Sequence, residues 1–153
     1  MLLINSLMSQ ECIHIHPEVD NKESLIKIML DSLKSADIID DTKELFKAIM
    51  EREDLSSTAL DFECAIPHAH CSTVKKTAIA VAVLNEGVDF NSSDGKLSKL
   101  IFLIVGPKNK AGTHLKILSK LARILYNEEL RKHLMGVTIE VEFLDLIKKQ
   151  EST

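Results

Sequence analysis

The chain has 153 residues, 45% hydrophobic and 27% charged, with 19 basic against 23 acidic side chains and a formal net charge of −4. One domain per roughly 100 to 200 residues makes this a single domain over 1–153 with room for one real core, and excludes a disulfide-stapled peptide. No basic stripe marks a nucleic-acid binder, and no apolar run approaches the roughly 18 residues of a membrane span.

Three cysteines, Cys12, Cys64 and Cys71, suit a reducing compartment better than a disulfide framework. The opening MLLINSLMSQE lacks the basic start and small-residue cleavage site of a signal peptide, so the expectation is a cytoplasmic protein.

Cys12 to His16 alternates apolar and polar before Pro17 and reads as a half-buried strand. Asp20-Asn21-Lys22-Glu23 then opens an amphipathic helix over 21–35 with Leu25, Ile28, Met29 and Leu33 inward. Asp41-Thr42-Lys43-Glu44 repeats the device for a second helix ending near Glu53, with Leu45, Phe46, Ile49 and Met50 as its buried stripe. The continuously apolar runs Ala78–Leu84 and Leu100–Val105 read as central strands covered on both faces, separated by a polar loop over Asn85–Lys99. Thr113 caps a third helix with Leu115, Ile117, Leu118, Leu121, Ala122, Ile124 and Leu125 inward. A short helix from Asn127 to Met135 closes at Gly136, and Thr138 begins a last one through Lys149. Interleaved helices and strands give an α/β fold: one three-layer domain, a mixed sheet of about five strands flanked by helices.

Reactive side chains are densest in Cys64-Ala-Ile-Pro-His-Ala-His-Cys71. Read as a zinc site, Cys64, His68, His70 and Cys71 supply suitable ligands, but without the spacing of a paired clip. A nucleophilic Cys64 or Cys71 would need a base and an orienting group that the sequence does not place. His68 as nucleophile is the third reading: a neutral imidazole nitrogen accepts a phosphoryl group well, and Pro67 would help aim the ring. A solvated loop histidine is the plain alternative.

Taken together, Arg52-Glu-Asp-Leu-Ser-Ser-Thr58, Ala65-Ile-Pro-His68, Val88-Asp-Phe90, Leu100-Ile-Phe-Leu-Ile-Val-Gly-Pro107 and Thr113-His-Leu-Lys-Ile-Leu-Ser119 form a longer pattern. In order and spacing it resembles the enzyme IIA domain of the fructose/mannitol and nitrogen-related branch of the bacterial phosphotransferase system. The resemblance implies that His68 accepts a phosphoryl group from the phosphohistidine of an HPr-type carrier protein, with Arg52 and His114 clamping the phosphoryl oxygens. It implies no cofactor and no metal. A separate enzyme IIB or a regulatory protein would be the next partner, with signalling through the phosphorylation state.

Plain readings stand beside these. Arg52 could pair with Glu51 or Asp54, and His114 could be an ordinary first-turn residue. Ser57 and Thr58 could cap or line the loop, and His70 stands where the family has a basic residue. His14, His16 and His133 read as surface or strand-edge residues, and Phe90 as packing under the loop. The family's glycine-rich approach to the histidine is replaced at Ala59, Asp61, Glu63 and Ala69. The loop must therefore take another path or be strained, and Asp61 and Glu63 must point away from a phosphate. A phosphorylation-deficient regulatory binding protein on the same fold is the alternative; the joint presence of His68, Arg52 and His114 favours the phosphocarrier.

Overall fold

The computed structural model describes residues 2–153. Its two apolar runs form antiparallel neighbours at the centre of the sheet, β5 (Ala78–Val88) and β6 (Ser98–Gly106). Outside β5 lies β1 (Met8–Ile15), parallel to it. Outside β6 lie β2 (Ala59–Leu60), β3 (Cys64–Ala65) and β4 (His68–His70), giving six strands in the order β1-β5-β6-β3-β2 with β4 also on β6. Both β3 and β4 run parallel to β6, at Leu100–Ile101 and at Ile104–Gly106, so they are one strand interrupted at Ile66-Pro67. Proline has no N–H for a ladder, and the Pro67 carbonyl still accepts from Ile104 N at 3.0 Å.

Alternation along β5 sorts the two faces. Ala78, Ala80 and Ala82 point toward α1 (Lys22–Ser35) and α2 (Thr42–Leu55), where their small side chains let the helices sit close. Ile79, Val81 and Val83 point the other way, under α3 (Ala111–Leu125), α4 (Glu128–Met135) and α5 (Glu140–Glu151). The result is the expected three-layer α/β sandwich.

Boundaries differ from expectation in several places. A 3₁₀ turn over Ile4–Leu7 leads into β1, which begins at Met8 rather than Cys12. The α1 cap is Asn21 paired reciprocally with Ser24, and Ile26 and Leu30 are buried where Ile28 is only half-buried. β5 runs on to Val88 through an irregularity, which shortens the expected loop. α3 starts at Ala111, two residues before Thr113, and Lys110 at its N-cap makes no side-chain cap bond. On this helix His114 falls on the same stripe as Ile117, Leu121 and Leu125 and is buried, while Leu115 lies off it and is 68% exposed. α5 starts at Glu140, its entry held by the Glu142 carboxylate accepting from the Thr138 hydroxyl (2.9 Å) and N–H (3.2 Å).

The chain ends are tied together. The side chain of Glu151 accepts from Ile4 N (2.7 Å), Asn5 N (2.8 Å) and Asn5 Nδ2 (2.6 Å) and pairs with Lys120 Nζ (3.0 Å). No helix among the described residues is long and apolar enough to cross a membrane.

Candidate active site

His68 opens β4, immediately after the Pro67 interruption, and its ring is half-buried. Its Nδ1 lies 2.9 Å from the carbonyl oxygen of Ile66. A carbonyl only accepts, so Nδ1 carries the proton and Nε2 keeps its lone pair. Burial lowers the basicity of the ring; the Ile66 carbonyl works against this, and the Arg52 and His70 charges add to it. A neutral imidazole with an unprotonated Nε2 follows at pH 7.

Ile66, whose carbonyl this is, is itself held through its N–H by a chain of bonds that begins on α2. The buried Glu53 carboxylate accepts from the Thr58 hydroxyl at 2.9 and 2.7 Å and from Thr58 N at 3.2 Å. The Thr58 carbonyl accepts from Ile66 N at 3.0 Å, and Ile66 then holds His68. Burial raises the Glu53 carboxyl, only partly offset by Thr58, Lys22 and Arg52. Sequence reading passed over Glu53 because a charged residue near a helix end reads as solvated. The signal available was the short spacing from Glu53 to Thr58, whose hydroxyl can reach back.

Arg52, one residue earlier on α2, donates from Nη1 to the Ser56 carbonyl at 2.9 Å and lies 3.4 Å from the Ser56 hydroxyl. It therefore bonds back to its own helix end and not to Glu51 or Asp54, and its positive charge reaches His68. His114 on α3 is 2% exposed, with its ring centroid 5.3 Å from that of His68 and 4.0 Å from that of His70. Burial first, then His70 and His68, push its basicity down to about 3. Its Nδ1 would stand 3.3 Å from a Cβ on Gly106, so a glycine there leaves room for the ring.

Arg52, His68, His70 and His114 are thus brought to one place by α2, β4 and α3. Of the remaining candidates, Pro67 interrupts the strand before His68 and Thr58 belongs to the bond chain beneath it. Ser57 lies outside this cluster: its hydroxyl donates to the Phe90 carbonyl, fixing the loop to a fully buried side chain. The open groove between α4 and α5, lined by Lys132, His133, Asp145 and Lys149, contains none of these side chains.

The rebuilt loop is a hairpin from β2 to β3 in which Phe62 (φ 67°) and Glu63 (φ 64°) are both left-handed. Glu63 thus stands, strained, at a position where the family pattern has glycine. Its carboxylate pairs with Lys99 near the start of β6 at 3.5 Å, and Asp61 accepts from the Ser93 hydroxyl in the turn before β6 at 3.0 Å. Neither is among the charges felt at His68. The zinc reading fails on the packing of the two cysteines. Cys64 packs with the face under α3 to α5 and Cys71 with the face under α1 and α2, so the two thiols cannot share an ion. The nucleophilic-cysteine reading fails for Cys64, whose thiol burial pushes up to about 12.

The family model described as "Phosphoenolpyruvate-dependent sugar phosphotransferase system, EIIA 2" matches residues 6–150. The fructose-specific EIIA component of Haloferax volcanii is 36% identical over 132 residues, which are 86% of this chain and 86% of that one. The fructose-specific EIIABC component of Bacillus subtilis is 34% identical over 148 residues, and the chain, matched over 97% of its length, spans 23% of that longer protein. Among solved structures, Nitrogen Regulatory Protein IIA-Ntr from Neisseria meningitidis superposes with a TM-score of 0.87 at 31% identity, covering 94% of this chain and 98% of that one. On a match that runs through all three elements carrying the histidine cluster, the chain belongs to the EIIA 2 family of the phosphoenolpyruvate-dependent sugar phosphotransferase system.

Proposed function

We propose that Nε2 of His68 accepts a phosphoryl group from the phosphohistidine of an HPr-type carrier protein and holds it for a downstream partner. The observation that carries this is the 2.9 Å contact from Nδ1 to the Ile66 carbonyl, which leaves Nε2 as the nucleophilic nitrogen. In the transfer the Nε2 lone pair forms the new N–P bond while the donor's N–P bond breaks and its electron pair returns to the donor imidazole. Arg52 supplies a cation for the phosphoryl oxygens, and His114 supplies a ring N–H beside them. Positioning and charge are what such a transfer needs, with no cofactor or metal.

A protein donor also needs a landing surface. Leu55, one turn beyond Arg52, is 83% exposed, and Leu115, next to His114, is 68% exposed. Two bare leucines flanking the charged centre suit a partner that covers the site while transfer occurs. The receiver is an enzyme IIB or a regulatory protein that reads the charge on His68. Three free, buried cysteines suit a cytoplasmic setting for this exchange.

Incubation with a phosphorylated HPr-type carrier tests the assignment. Wild type is expected to take up acid-labile, base-stable label, and His68→Ala none. Absence of label on wild type would leave the phosphorylation-deficient binding protein as the reading.

A further inference from the structure

Three ring nitrogens beside His68 are buried without a hydrogen-bond partner among the described residues: Nδ1 and Nε2 of His114, and Nε2 of His70. Leaving a buried polar atom unpaired is costly, and here three such atoms belong to two rings in contact at 4.0 Å. Gly106, the ladder partner of His70, is also the residue against which His114 Nδ1 lies, so that edge of the ring faces the strand pair carrying His70.

The charges around the pair are few. α2 contributes Arg52, together with Glu53, whose carboxylate is engaged by Thr58. β4 contributes His68 and His70, and β6 ends there on the uncharged Gly106. Lys110 and Lys116, on and beside the first turns of α3, are exposed. Among the described residues the charges that bear on His114 are His70 and His68, and neither is a carboxylate. The unloaded site therefore opposes a proton on His114, and a phosphoryl dianion on His68 reverses that balance.

We propose that His114 takes up one proton from solvent when His68 receives its phosphoryl group, donating one ring N–H to a phosphoryl oxygen and the other to Nε2 of His70. The inference rests on the phosphoryl-transfer reading above. It gives all three unpaired nitrogens partners in a single event, and it makes His70 a positioning residue that acts through His114. The N–P bond change is that already described; the only addition is one proton from water.

The partition of label between the chain and a phosphorylated HPr-type carrier, measured from about pH 6 to 8, reads this linkage. Relative to His70→Leu, which cannot accept a hydrogen bond, wild type should gain label by up to about tenfold for each pH unit lowered, the slope of one proton. His70→Gln, whose amide oxygen can accept, should follow wild type. The carrier's own titration is common to all three proteins and cancels. Nitrogen-15 NMR of wild type alone gives a readout independent of any variant: both His114 nitrogens should become protonated on phosphorylation. Parallel pH curves for the three proteins, or a His114 ring that stays neutral, would overturn this inference while leaving phosphoryl transfer intact. No label on wild type at any pH would overturn both.

Discussion

Glu63 shows how one residue can be accommodated where the family pattern has glycine. A left-handed backbone costs a side-chain-bearing residue about 1–2 kcal/mol, while a glycine there gives back about 0.4–1 kcal/mol through the looser unfolded chain. Its pair with Lys99 is partly exposed and contributes only a few tenths of a kcal/mol. Glu63→Gly should therefore stabilise the fold by about 0.5 kcal/mol, a rise in Tm of about 1–2 °C, with labelling of His68 unchanged. Thermal denaturation checks this, and a lower Tm in the variant would mean the hairpin is unstrained. At this scale His68, Arg52 and His114 were legible because their residue types sit in a spaced pattern. Burial of His114 was not read: it stands at helical spacing from Ile117, Leu121 and Leu125, but a polar side chain at a helix start reads as solvent-facing.

Short elements carry the site, and they are the part of the fold that the sequence concealed. Segments of two or three residues such as β2, β3 and β4 contain no repeated alternation, and only pairing makes them strands, β3 and β4 on β6 and β2 on β3. The long runs Ala78–Leu84 and Leu100–Val105, and both capped helices α1 and α2, were readable because each holds several repeats of its pattern. What links α2 to β4 is the path from Glu53 through Thr58 and Ile66 to His68. Glu53→Ala should lower the rate of label uptake by about ten- to a hundredfold, since small displacements of a reacting group cost that much. It should also cost about 2 kcal/mol of stability for lost charge-assisted bonds. Glu53→Gln, which can still meet Thr58, should retain most of both. Nitrogen-15 NMR of His68 separates aim from mere instability: the Nδ1–H tautomer should become less populated in Glu53→Ala. An unchanged tautomer and rate would show that the path does not aim the ring.

Across the whole molecule, the two faces of the sheet were foreseeable from the apolar runs, but the join between first turn and last helix was not. It depends on one carboxylate meeting backbone N–H groups 146 and 147 residues away, which no local pattern encodes. Burial pushes the Glu151 carboxyl up, but the N–H groups of Asn5 and Ile4, the Asn5 side chain and Lys120 outweigh it and hold it below its ordinary range. For a depressed carboxyl, the stabilisation is present above the ordinary value of 4.5 and is lost as pH falls through the lower folded value. Glu151→Ala should destabilise the protein by about 1–2 kcal/mol at pH 7, as expected when part-buried, charge-assisted hydrogen bonds are lost. Urea titrations should show that difference shrinking in acid, and a pH-independent gap would assign the effect to packing alone.

That same join means that chain order is not what organises this domain. With both ends at one corner, a short bridge from 153 to 2 and a cut in the exposed 91–96 turn would keep every ladder pair and the meeting of α2, β4 and α3. The histidine cluster would survive such a circular permutation, because the contacts that build it lie in space on a closed loop of polypeptide, wherever that loop is opened.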